Sequence, residues 1–520
     1  MYYAILGVVE NFKGEGLMKG IDTNIKRIRR KIFKEIAKLA FDGKNFERLE
    51  ALPHKIIEGE KANFRSCVHL ERAIVGQRLR LAMGLSLNDS FKYEPISKDI
   101  EKAIVGEKYY ELPLINVIKD ACNSCIEKGY FVTNLCEGCL ARPCQEVCPA
   151  NAISFSDECK SKIDGEKCIK CGRCASVCPY SAIVKQERPC AKACGVDAIH
   201  SDELGRAEID IEKCVSCGAC TISCPFGAIS DKSQIFQVIY AIQNKNKVVA
   251  AVAPAFVGQF GEEATPEKIK TALKKIGFFD VVEVAIGADL CSYGEAKEFV
   301  EKVPSKQTFM ATSCCPAWSV MAKKNFKDLA PYISMELTPM AFTGRFIKNK
   351  NRDVKVAFIG PCAAKKLEAF RKSVRSDVDF VLTFEEVMGM FEAREIDFKN
   401  LEADEEFRKT STDGRNFAVS DGVAGAVAAC IKKFDPDREI LLDSANGLKN
   451  CRTMLLMAKA GKRKGYLLEG MACEGGCVGG PGTLKETNKG AKFVNDFSKK
   501  AEKEHAFESE FVEQIEDLLD

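Results

Sequence analysis

A chain of 520 residues is too long for one compact core and predicts two to four domains. Hydrophobic residues make up 46% and charged residues 29%, as in soluble globular proteins, and a net charge of +3 argues against a chain built to bind nucleic acid. Twenty-six cysteines lie far outside ordinary usage and need a chemical cause.

Disulfides and metal ligands compete as that cause. Disulfide frameworks belong to short secreted domains. This chain is long, and its opening MYYAILGVVENFKGEG has neither a basic n-region nor a small-residue cleavage site. No 18 consecutive residues are apolar, so no membrane span is expected. A reducing cytoplasm is the expected compartment, with the thiols as metal ligands.

Cysteine density divides the chain. Residues 1–121 hold only Cys67, residues 122–224 hold seventeen cysteines, and residues 225–520 hold eight. The expected domains are a mostly helical region of unknown role (1–121), ferredoxin-like α+β domains (122–235), and an α/β domain with parallel sheets flanked by helices (245–520).

The first region predicts a helix over 23–41, with Ile25, Ile28, Ile32 and Ile36 on one face, and a second over 70–85. Its basic run KRIRRKIFK is either a docking patch for an acidic partner or a solvated helix face.

In the second region, CIKCGRCASVCP (168–179) and CVSCGACTISCP (214–225) have the C-x2-C-x2-C-x3-C-P spacing of bacterial ferredoxins. Three thiolates there bind one [4Fe–4S] cluster and the fourth reaches to a twin. CEGCLARPCQEVCP (136–149) is a loosened copy, and CAKACGVDAI (190–199) ends in the same way. This internal repeat predicts four ligand sets. Cys136, Cys139, Cys144 and Cys178 form one, and Cys148, Cys168, Cys171 and Cys174 form its twin. Cys194, Cys214, Cys217 and Cys220 form a third. Cys122, Cys125, Cys190 and Cys224 remain for a fourth, unless Cys122 and Cys125 are simply free. Three to four accessory clusters are therefore expected, and Cys159 is left over. A zinc site would need only four sulfurs. Several clusters in series carry single electrons, so a redox partner and a catalytic centre are implied at opposite ends.

The third region alternates strands (247–256, 280–290, 353–362, 378–383) with helices such as TPEKIKTALKKIGF (265–278), and ends in a charged helix around 493–519. Five of its eight cysteines stand in three separated motifs: TSCCPAW (312–318), GPCAAKK (360–366) and EGMACEGGCVGG (469–480). Cys315, Cys362, Cys473 and Cys477 could hold one further cubane, which leaves Cys314 free beside its neighbour.

These three motifs, in this order and behind ferredoxin repeats, resemble the [FeFe]-hydrogenases over roughly residues 122–485. The resemblance implies an H-cluster: a [4Fe–4S] cubane joined through a cysteine to a two-iron unit carrying CO, CN⁻ and an azadithiolate. On that likeness Cys315, Cys362, Cys473 and Cys477 are the ligands, with Cys477 bridging, and Cys314 relays protons. Glu295, Glu298 and Ser334 match relay positions. Lys365 matches a cyanide donor, and Met471, Pro254 and Ala255 match residues around the two-iron unit. The reaction implied is reversible reduction of protons to H2, with ferredoxin or a similar one-electron carrier as partner and maturation proteins to build the centre. Gly360, Ala317 and Met340 depart from the best-known pattern and suggest a separate, group B-like branch. An iron–sulfur assembly relative or an H2 sensor of the same fold is the alternative.

Overall fold

The computed structural model describes residues 21–89, 92–109, 111–407, 410–515 and 518. The opening run MYYAILGVVENFKGEG lies outside the described residues.

Helix α1 (Asn24–Asp42) starts where the Thr23 hydroxyl accepts from the Lys26 amide and stops at Gly43, whose φ of 62° a glycine adopts freely. Ile32 and Ile36 are buried on its apolar face, which packs on the helices Ile235–Gln243 and Phe384–Ala393. Helix α2 (Val68–Ala82) follows. The basic run proves to be neither a free patch nor wholly solvated. Arg29 is 2.8 Å from Glu385 and 3.8 Å from Asp231, so it docks α1 onto both later regions.

The expected boundary at 121 is crossed by a β ladder. Strand Ile115–Val117 pairs antiparallel with Ile229–Asp231, so the first region closes the end of the cysteine-rich segment. That segment is a set of small antiparallel pairs: Ile153–Phe155 with Ser161–Ile163, Ile199–Ser201 with Ala207–Ile209, and Lys128–Val132 with Ile183–Glu187. The repeat read from the sequence appears as two similar halves, the first closed by the pair Lys128–Val132 with Ile183–Glu187 and the second by Ile115–Val117 with Ile229–Asp231.

The third region holds two parallel sheets. Strands β1 (Lys247–Val252), β2 (Asp280–Glu283), β4 (Val354–Gly360) and β5 (Phe380–Thr383) form one, in the order β2-β1-β4-β5. Strands β3 (Met310–Ala311), β6 (Leu441–Asn446) and β7 (Tyr466–Met471) form the other, in the order β3-β7-β6. β1 is buried from Val248 to Val252, as a parallel strand covered on both faces must be. Helices α3 (Ala285–Lys302), α4 (Pro316–Asn325), α5 (Pro339–Lys350), α6 (Gly422–Phe434) and α7 (Thr487–Ser498) flank these sheets.

Two element assignments change. The apolar stretch 280–290 is strand only to Glu283 and then becomes α3. Gly287 lets α3 approach α5 so closely that a Cβ there would stand 2.1 Å from the Pro339 carbonyl oxygen. The expected terminal helix ends at Ser498. Beyond it, Lys503 bridges Ser411, and the Asp413 carboxylate accepts from the Ala506 amide and lies 3.1 Å from His505 Nδ1. Those tertiary bonds break the helix into short turns.

Candidate active site and iron–sulfur relay

In the cysteine-rich segment, each C-x2-C loop turns through left-handed residues, such as Gly172 at φ 82° and Gly218 at φ 80°, which aims consecutive thiols inward. Cys136, Cys139, Cys144 and Cys178 line one small cavity. Cys148, Cys168, Cys171 and Cys174 line another. Cys122, Cys125, Cys190 and Cys224 line a third. Cys122 and Cys125, left open as simply free, thus face Cys190 and Cys224. Backbone amides of Ala152, Ala182, Ala198 and Ala228 donate to the sulfurs of Cys148, Cys178, Cys194 and Cys224 at 3.3–3.4 Å, the same contact four times over.

The remaining predicted set meets at the inner end. Burial pushes the Cys217 thiol up to about 12, with Cys194, Cys214 and Cys362 adding like-charge repulsion. Cys220 is raised by burial and also feels Cys190. This fixes a sequence in space: the Cys190 set adjoins the Cys220 set, which adjoins Cys362. At the outer side, Lys170 acts on Glu127, so the Cys168–Cys171 loop lies next to the Cys125 segment. Cys159 is exposed, and its carbonyl presses on Gly138, where a Cβ would meet it at 2.5 Å.

The three motifs of the third region converge at the ends of strands. TSCC leaves β3, GPC leaves β4, and MAC leaves β7. Burial raises the Cys362 thiol to about 11 and the Cys477 thiol to about 12, and both feel Cys315. The Ala472 amide donates to Cys315 Sγ at 3.5 Å, which brings the start of the Cys473 loop against Cys315. Gly475 and Gly476 turn that loop at φ 75° and 89°. At Gly476 a Cβ would lie 2.8 Å from the backbone at Ser420, so no side chain fits. Trp318 lies flat on Gly470, where a Cβ would be 2.2 Å from its ring, and its indole donates to the Thr312 carbonyl at 3.1 Å.

Cys314 lies near both Glu295 and the converging thiols Cys315 and Cys477. It is buried, and its strongest charged neighbour is Glu295. Burial pushes its thiol well above the ordinary range, so it does not keep the near-8.5 value expected of a free cysteine but is held protonated. Burial likewise raises Glu295 to about 8. Glu295 Oε1 accepts from the Ser313 amide at 2.8 Å and from its hydroxyl at 3.1 Å. One turn on, Glu298 accepts from Ser334 Oγ at 2.6 Å and is 2.7 Å from Lys302 Nζ. Among the described residues no direct hydrogen bond joins Glu295 to Ser334.

Lys365 is buried, 2.7 Å from Glu368, and donates to the Cys314 carbonyl at 3.3 Å. Burial would lower its pKa, but Glu368 outweighs that and raises it. Pro254 and Ala255 form a buried turn after β1, and Met471 is buried at the end of β7. Met340 is buried in α5, Ala317 in α4, and Gly360 closes β4.

Sequence reasoning missed four carboxylates or thiols here. Glu368, three residues past Lys365, holds its ammonium and accepts from Thr338 Oγ1 at 2.6 Å. Glu469 accepts the Asp421 and Ala424 amides at the start of α6. Glu336 and Cys291 lie beside Glu295. The i,i+3 spacing could have found Glu368; the others needed tertiary structure.

Among the described residues no three His, Cys, Asp or Glu side chains converge tightly enough for a single metal ion. The donor sets suit clusters instead: thiols only, three of the sets grouped in fours around cavities, with glycines where a backbone must come close. No described helix is long and apolar enough to cross a membrane.

Comparison with known proteins agrees. Residues 246–481 match the iron only hydrogenase large subunit, C-terminal domain. Residues 167–228 match a 4Fe-4S dicluster domain, and 136–188 match the LdpA Fe-S cluster-binding domain. Iron hydrogenase 1 of Clostridium pasteurianum is 30% identical over 396 residues, covering 66% of this chain and 68% of that protein. Cytosolic iron-sulfur assembly component 3 of Rattus norvegicus is 26% identical over 288 residues, covering 45% of this chain and 60% of that protein. A solved [FeFe]-hydrogenase from Chlamydomonas reinhardtii aligns with a TM-score of 0.43 at 21% identity, over 52% of this chain and 89% of that one. Ferredoxin-type cysteine sets beside three converging thiol motifs, together with the Clostridium match, place this chain in the iron-only hydrogenase family.

Proposed function

We propose that this protein is an [FeFe]-hydrogenase that interconverts 2H⁺ + 2e⁻ and H2, exchanging electrons with ferredoxin or a similar one-electron carrier in the cytoplasm. The observation that carries this reading is the division between adjacent thiols: Cys315 joins Cys362 and Cys477, while Cys314 has Glu295 as its strongest charged neighbour.

Cys315, Cys362, Cys473 and Cys477 would hold the H-cluster, and the four further cysteine sets would hold accessory cubanes. When bound, the H-cluster supplies the metal site at which protons and electrons combine. The chain supplies the rest. Clusters held by the four accessory sets would carry single electrons toward Cys362, the Cys217 set adjoining Cys362 and the Cys190 set adjoining the Cys217 set. Cys314 hands a proton to or from the centre as a neutral thiol, and Glu295 exchanges it at a pKa of about 8, close to working pH. Ser334 and Glu298 lead outward to Lys302, whose side chain is 35% exposed. The Lys365 ammonium, kept charged by Glu368, offers a fixed donor where anionic ligands would sit. Pro254, Ala255 and Met471 wall off water.

The test is infrared spectroscopy on protein made with the hydrogenase maturation proteins. CO and CN⁻ bands are expected, and their absence would overturn the reading. Cys314→Ser should keep those bands while H2 turnover falls at least about 100-fold. A second reading, an iron–sulfur assembly protein, is favoured by the likeness to the rat protein. It predicts cluster transfer to an apo-acceptor and no H2 turnover.

A further inference from the structure

No direct hydrogen bond joins Glu295 to Ser334 among the described residues, and one further carboxylate lies beside Glu295. Glu336, two residues after Ser334, lays its carboxylate over Gly294. A Cβ on Gly294 would lie 2.7 Å from Glu336 Oε2 and 2.8 Å from its carboxyl carbon, so the acid fits only because residue 294 has no side chain. Gly294 is the residue immediately before Glu295. Glu336 Oε2 and Glu295 Oε2 are both buried without a hydrogen-bond partner among the described residues. Two neighbouring carboxylate oxygens left this way carry a large desolvation cost unless a proton or a bridging water serves them.

Ser313 ties the two acids together. Its hydroxyl reaches Glu295 Oε1 at 3.1 Å and the Glu336 carbonyl at 3.1 Å. The Glu336 amide in turn donates to Ser334 Oγ at 3.2 Å. Glu336 is only half-buried, and the adjacent Met335 is 72% exposed, so the same residue touches the interior and the surface.

We propose that Glu336 is a third carboxylate of the proton route, linking Glu295 to solvent in parallel with Ser334 and Glu298. This rests on the hydrogenase reading above. In the outward direction the O–H bond of Glu295 breaks, its electron pair stays on that oxygen, and the proton forms a new O–H bond on Glu336 Oε2. Glu336 then releases the proton to water at the surface, and inward transfer reverses each step. The charged groups around it are Glu295, Glu298, Lys297, Lys302 and Cys291 on α3, with Lys323 on α4 reaching Met335.

Two measurements test this. The first needs no H-cluster: pH-difference infrared spectra of the carboxylic-acid C=O stretch, recorded on the full chain without its two-iron unit. Removing a like charge beside Glu295 should shift that residue's titration down by about half a pH unit or more in Glu336→Gln. An unmoved Glu295 band overturns the proposal. The second uses matured enzyme. Parallel exits predict that Glu336→Gln and Glu298→Gln each keep a large share of turnover, while the double variant loses at least about 10-fold more than the product of the two single effects. A double variant no worse than Glu298→Gln overturns the proposal. Gly294→Ala, which displaces the carboxylate without removing it, should reproduce Glu336→Gln in both assays. If matured wild-type protein shows no H2 turnover, the hydrogenase reading fails, and the infrared titration still decides whether Glu336 and Glu295 communicate.

Discussion

Lys365 and Lys366 are neighbours in the chain and serve opposite sides of one short helix. Nζ of Lys365 is 2.7 Å from Glu368, beneath the thiols of the candidate active site. Nζ of Lys366 is 2.7 Å from both Asp231 and Glu386, and that side chain is fully buried. With Arg29 and Glu385 it forms a buried charge cluster joining α1, the end of the cysteine-rich segment and the third region. Lys366→Met would leave Asp231 and Glu386 facing each other with less compensation. We expect a loss of about 3–5 kcal/mol, read as a lower apparent Tm by scanning calorimetry.

Stability should depend on pH through Glu295. Its folded pKa, about 8, lies above the unfolded carboxyl value of about 4.3. The unfolded chain therefore loses this proton first. The contribution is complete below about pH 4 and is lost as pH rises toward 8. Burial raises Glu469 to about 7, with the same sign. The urea midpoint should fall between pH 5 and pH 8, and Glu295→Gln should fall less. Equal slopes in the two proteins would count against a protonated Glu295.

The fourth accessory set makes a countable prediction. Cys190→Ser removes a buried thiol, a ligand on the reading proposed above, from the cavity it shares with Cys122, Cys125 and Cys224. Iron content should drop by about four atoms per chain, with one [4Fe–4S] signal lost from the reduced EPR spectrum. Infrared bands of the active centre should persist while electron exchange with the carrier slows.

Gly470 has no room for a methyl group, because Trp318 covers it at 2.2 Å from a built Cβ. Gly470→Ala should destabilise the protein by about 1–3 kcal/mol through overpacking, measured by denaturant unfolding. Moving Trp318 also shifts the strand end that carries Cys473, so iron loading should fall with it.

Much of the site could be read in advance because its chemistry is local. C-x2-C loops and the three motifs write their ligand types into contiguous letters. Even the crossed pairing of Cys148 and Cys178 follows from the repeat. The parallel sheets were legible because buried strands such as 248–252 are unbroken apolar runs. What escaped is set by contacts distant in sequence. The helix starting within 280–290 depends on α5 lying against Gly287. The end of the last helix at Ser498 depends on Asp413 and Ser411. Glu336 has no motif around it, and only the bare backbone at Gly294 reveals where its carboxylate goes. The burial of the Cys314 thiol could not be seen from its neighbours in the sequence.

The clamp around Lys366 and Arg29 bears on how electrons travel. The cysteine-rich segment is stitched to the third region by buried charges and to the first by the strand pair Ile115–Val117 with Ile229–Asp231. It cannot act as a swinging arm that delivers charge and retreats. With clusters in the proposed cysteine sets, the spacing between successive centres would be set when the chain folds, so current through them should respond to the potential of the external carrier and not to solvent viscosity.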